Sequence, residues 1–183
     1  MERNTVVRAM HDVGLATWFG GSLMGAIGLN GATAVVSDRS ERLRVANAGW
    51  GRWAPVSAAS IGAFLIGSAG LLTANRKRVA HQQGVGASTA AKAALTAAAL
   101  AATAYTGVLG ARLADAGDVP VEGAVKPDKE TPDDVARTQQ RLRLMQWVVP
   151  AVTGAIVVLT SLHGEQQRPS QVIRGTARKK FSR

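Results

Sequence analysis

The sequence predicts an all-α fold, a polytopic membrane four-helix bundle, on three observations. Four long blocks are empty of charge, the charges crowd into the segments between them, and the first two blocks carry glycine and alanine at helical spacing. Averages over the 183 residues hide this, because 46% apolar and 19% charged residues would also suit a water-soluble domain. A helix needs about 20 apolar residues to cross a bilayer core. The four blocks, at about 13–36, 54–74, 93–111 and 144–162, supply that length or come close to it.

The N-terminal segment 1–12 is short and mixed, and is read as cytoplasmic. The first block, Val13 to Val36, is 24 residues long, more than the 7–15 of a signal-peptide core, and has no clear small-x-small cleavage site before its polar flank. It is therefore expected to stay as an uncleaved first span. On a helix Gly14, Trp18, Gly21, Gly25, Gly28 and Ala32 share one nearly flat face. Lipid tails are as apolar as leucine, so helices in a bilayer associate by close van der Waals approach, which such a face allows. Asn30 lies off this stripe and is expected to bond to a neighbouring helix or reach the headgroups.

The segment from Ser37 to Trp53 reads as a polar surface connector with Arg39, Arg42 and Arg44, and with Trp50 and Trp53 as interfacial anchors. The second span, 54–74, has Pro55 near its first turn, where a missing N–H costs nothing. Ala59, Ala63, Gly67, Gly70 and Ala74 give it a small-residue face of its own, so the first two helices are expected to press together. Arg76-Lys77-Arg78 ends it, and Ser88 or Thr89 is the expected N-cap of the third helix. The third span, 93–111, is rich in alanine and is expected to pack on the inside of the bundle.

The stretch 113–131 carries five acids with prolines and glycines and reads as a mobile, acidic, extracytoplasmic loop. Its carboxylates have no EF-hand spacing, which favours a solvated loop over a cation site. Thr131-Pro132-Asp133-Asp134 is a helix start with Thr131 as cap and two acids facing the positive helix end. No breaker follows before Pro150. Helix 132–162 is thus expected to run as one rod of about 46 Å at 1.5 Å per residue, its first third outside the membrane. The basic cytoplasmic tail, 163–183, is expected to attract anionic lipid.

Four spans put both termini on one side. Lys and Arg number 12 on that side against 10 on the other, and the basic clusters hug the span ends, so the termini are placed in the cytoplasm of a bacterial inner membrane. The net charge of +10 is spread over every connecting segment, which points to a membrane surface and not to nucleic acid.

The reactive inventory is thin. There is no cysteine, no Asp, Glu, Lys, Arg or His inside the four predicted spans, and no G-x-S-x-G, phosphate-loop or zinc-protease motif. His11, His81 and His163 all sit at or beyond span ends on the predicted cytoplasmic face, where a surface metal site is the sharper reading and ordinary surface histidines the plainer one. No catalytic, cofactor or metal residues are assigned, and no enzyme activity is expected.

His11 followed by Trp18-Phe19-Gly20-Gly21 resembles the opening helix of small bacterial membrane families that begin with a histidine and a W-x-G-G, among them the CopD-like copper-resistance proteins. The sequence departs from a copper-handling pattern by lacking cysteine and intramembrane histidine, so no copper role is carried over. As a whole the chain resembles the four-span integral membrane proteins of actinobacteria. The expected function is that of an accessory or scaffold subunit of an envelope complex, held to other membrane proteins or to itself through small-residue faces. The alternative is a carrier or channel for a small hydrophobic or lipid-like solute.

Overall fold

The computed structural model describes residues 5–81 and 85–165, without the side chains of 75, 77–81, 85 and 163–165. The predicted lipid contacts of the tail and the side chains of His81 and His163 lie outside the described residues. What is described is mostly helical, with four long helices and one small hairpin. We name the helices α1 (Thr5–Met24), α2 (Arg42–His81), α3 (Val85–Asp115) and α4 (Asp133–Glu165). The hairpin has strands β1 (Val121–Gly123) and β2 (Lys126–Pro127), paired antiparallel.

The all-α fold class is as predicted, but the four predicted spans are met by three helices. Stretches of α2 (Arg42–Ala74), α3 (Gly86–Asp115) and α4 (Asp133–Leu162) are long and apolar enough to cross a membrane. The first helix is not among them. It begins inside the segment expected to precede the span, at Thr5, and takes in Arg8, His11 and Asp12. It then changes at Gly25 into a π turn, Gly25–Leu29, in which the Asn30 N–H reaches back to the Gly25 carbonyl. One short α turn and a 3₁₀ turn, Thr33–Val35, end it.

The pressing together of α1 and α2 is the most detailed sequence expectation that the coordinates carry. A β-carbon on Gly14 would stand 2.5 Å from the Ser60 carbonyl oxygen and 2.6 Å from the Phe64 nitrogen. One on Gly67 would run into the main chain of His11, and one on Gly70 into Val7. The helices therefore meet backbone to backbone, in antiparallel register. Farther along, the rings of Trp53 and Trp50 fill the notches left by Gly21 and Gly25. Both tryptophans were expected to anchor at headgroups from a polar connector. Instead α2 begins at Arg42, so both are helical and spend their rings on α1. Pro55 for the same reason lies inside a helix and not in a first turn.

The third helix corrects a second expectation. It starts at Val85, which leaves Ser88 and Thr89 inside the helix and not at its cap. It packs against α4 and α2, but its alanine face is not the buried one: Ala94, Ala97, Ala98, Ala101, Ala104 and Gly107 are exposed. The core below is built from Leu15, Trp18, Phe64, Ala99, Ala102, Val149 and Ile156. The long rod is found as α4, 33 residues through Pro150 without interruption. Its start differs in one detail, since the Thr131 hydroxyl donates to the Pro120 carbonyl and accepts from the Asp128 N–H instead of capping the helix.

The acidic segment is not left to solvent. Val121 joins Leu43, Leu113 and Val135 in a second apolar cluster, and the hairpin closes the end of the bundle where α2 begins and α3 ends. Arg42 ties it down by donating to the carbonyls of Val36, Val121 and Glu122. Gln139, fully buried, donates to the carbonyls of Gly123 and Ala124. Alternating acids and prolines hid this, because the few residues that make the cap, Val121 and Ala124, are isolated in the sequence.

Arg39 pairs with Asp128 at 2.7 Å, joining the α1–α2 connection to the hairpin. The Glu130 backbone N–H, and after it the Arg39 charge, holds the Asp128 carboxyl below the usual carboxylate range. A lowered folded-state pKa adds stability above the unfolded pKa, and that stability disappears as pH falls through the lowered one. The thermal midpoint of Asp128→Asn should therefore lie below that of the wild type at neutral pH. The gap should close on acidification through the carboxylate range, and a gap independent of pH would contradict this assignment.

Candidate functional site

The sequence pattern placed every Asp, Glu, Lys, Arg and His outside the spans; the packing buries His11 inside the bundle, between Asp12 and Lys92, which reach the surface. Helix α1 extends backward in the same register, so the Gly14 stripe continues to His11 and then Val7, three and four residues earlier. His11 lies on Gly67 and its side chain has 0% exposure. Gly67 is seven residues before Ala74, the end of the uncharged run of α2, or about 10 Å at the helical rise. The imidazole is therefore level with apolar chain and not with a surface loop.

Both ring nitrogens are engaged. Nδ1 is 2.6 Å from an oxygen of Asp12, and Nε2 is 2.5 Å from the Lys92 ammonium on α3. An ammonium can only donate, and a carboxylate can only accept. The ring must then accept at Nε2 and donate from Nδ1, which fixes a neutral imidazole between a cation and an anion. Phe64 forms the floor, with its ring 5.1 Å from that of His11 and 5.7 Å below the Lys92 nitrogen. Trp18 packs against Phe64 with the rings tilted and 5.9 Å apart, and donates its indole N–H to Thr103.

The two outer groups reach the surface while the middle one does not. The Asp12 side chain is 52% exposed and Lys92 is half-buried. Arg8, one turn before Asp12 on α1, adds a further positive charge acting on the ring. From α2 the ring meets only Phe64 and the main chain at Gly67 among the described contacts.

A second polar group crosses the bundle nearer the hairpin. Trp50 donates to the Asn30 carbonyl oxygen at 2.9 Å, and the Asn30 amide donates to Gln146 on α4 at 2.9 Å. This satisfies Asn30 by bonding to neighbouring helices, the first of the two alternatives expected for it, and fastens the π turn to both neighbours.

Among the residues singled out in the sequence, His11 is moved from the surface to the interior, and no described group of three His, Cys, Asp or Glu residues is arranged to hold a metal ion. Asp12 and Lys92 were overlooked because each stands one residue outside an uncharged block. The readable signal was the stripe, which lands on His11 when continued one step past Gly14. No family model matches the chain, and neither curated proteins nor solved structures show a significant similarity to it.

Proposed function

We propose that the protein is a multi-pass component of a bacterial inner membrane, with both termini cytoplasmic and all four helices in one bundle, acting as a non-enzymatic accessory or scaffold subunit of an envelope complex. Support for the membrane part comes from the side chains, which are distributed as lipid requires: Ile66, Val108 and Val158 are exposed, while Asn30, Thr33, Ser60 and Thr153 are buried. The basic tail, with Arg174, Arg178, Lys179 and Lys180, would add attraction to anionic lipid.

The observation that carries the subunit reading is the outward face of α3. Ala94, Ala97, Ala98, Ala101 and Ala104 stand exposed in a row, uncovered among the described residues, and such a row lets a second membrane helix approach closely. Gly14 and Gly21 of α1 and Gly49, Gly67 and Gly70 of α2, by contrast, are already filled from within the chain. That interlock counts against helices that slide to pass a lipid-like solute, so the subunit reading is preferred to the carrier.

The test is crosslinking of the tagged full-length protein in native membranes. A discrete partner adduct is expected from the wild type, reduced at least tenfold in Ala98→Leu/Ala101→Leu with the thermal midpoint of the purified protein unchanged. Recovery of the chain alone, or an adduct indifferent to those leucines, would sink the subunit reading. Failure of the protein to float with lipid vesicles would sink the membrane reading itself.

A further inference from the structure

We propose that Asp12, His11 and Lys92 form a proton relay through the bundle, with the proton as the ligand and the buried imidazole as the carrier between two surface-reaching ends. The inference rests on the membrane reading above only for its setting, and its chemistry stands on the two contacts of the ring.

An ion pair separated by an imidazole has a second, neutral arrangement. Lys92 passes a proton to Nε2 as His11 passes the Nδ1 proton to Asp12; the Nζ–H and Nδ1–H bonds break, and Nε2–H and O–H bonds form. Proton count is conserved and two opposite charges vanish. In water the charged arrangement would dominate, but in a site of low polarity the loss of charge separation offsets the cost of moving protons away from their preferred groups. The neutral Asp12 can then release its proton at its exposed side, and the neutral Lys92 can take one up at its own. The ring is then left as the Nε2–H tautomer, and the opposite pair of transfers, Asp12 to Nδ1 and Nε2 to a deprotonated Lys92, returns it, so the device shuttles a proton in either direction between the two ends. A single forward pass moves one proton from the Lys92 side to the Asp12 side.

The surroundings fit this task better than that of a static strut. A structural ion pair gains from direct contact between its charges, whereas here a titratable ring is inserted between them. The charged groups acting on that ring are Arg8 and Asp12 from α1 and Lys92 from α3, while α2 supplies the uncharged Phe64 and Gly67. The ring is fully enclosed, which keeps water from short-circuiting the transfer.

The full-length protein, with His81→Gln and His163→Gln so that His11 is the sole histidine, is ¹⁵N-histidine labelled and reconstituted in lipid. Nitrogen NMR across the pH range is expected to show two exchanging tautomers, Nδ1–H and Nε2–H. The infrared band of a protonated carboxyl should rise and fall with the second tautomer and be lost in Asp12→Asn. Lys92→Met, at a half-buried position whose stem stays apolar, should fix the ring in the Nδ1–H form and suppress the exchange. A single Nδ1–H tautomer at every pH, or an exchange that survives Lys92→Met, would overturn the relay and leave a static bridge. Vesicle flotation is scored separately, so a failure to insert is not confused with a failure to relay.

Discussion

Leucine at position 14 is expected to separate α1 from α2. The first atom of the new side chain would meet the Ser60 carbonyl oxygen and the Phe64 nitrogen, both main-chain atoms that no rotamer change can move. Relief requires the two helices to part along their length, which also loosens the neighbouring contacts of Gly67 with His11 and of Gly70 with Val7. Overpacking of this kind costs about 3 kcal/mol. Chemical unfolding in mild detergent, followed by helix content, should show the loss. Gly62→Ala and Gly110→Ala, where open space awaits the added carbon, serve as comparisons and should change stability little. Gly21→Ala should fall between, because its obstacle is the Trp53 ring, which can swing.

Phe64→Ala is the second large effect. Phe64 is fully buried and is the common neighbour of His11, Trp18 and Lys92, so its loss opens a cavity at the meeting point of three helices. Removing such a ring costs about 4 kcal/mol. The same denaturation assay measures it, and Phe64→Leu should recover roughly half, since most of the volume but not the ring contacts returns. A Phe64→Ala protein as stable as the wild type would mean that the core is not centred on this residue.

Much of the helical framework was legible in the sequence because membrane-type helices announce themselves by what they lack. The uncharged runs of α2, α3 and α4 lie inside the helices observed, and the glycine spacing of α1 and α2 named the faces that meet. What the charge pattern could not mark was where each helix begins. Arg42 to Trp53 and Thr5 to Asp12 are helical although they carry charges, because helix formation answers to continuity of the main chain and to tertiary packing as well as to apolar content. Those same extensions contain His11, so misplacing the helix start hid the candidate site along with it. The hairpin was unreadable for a different reason. Its strands total five residues, too few for an alternation to register, and they are held by Arg42, about 80 residues earlier in the chain.

The tie that Arg42 makes to three carbonyls sits at one pole of the molecule, and the start of α1 at Thr5 lies toward the other. Near that second pole α1 and α2 are also interlocked, Gly67 on His11 and Gly70 on Val7, so the two move as one body. A partner gripping α3 near Lys92 would therefore shift that helix against a pair that holds still, and so set the distance between its amine and the imidazole.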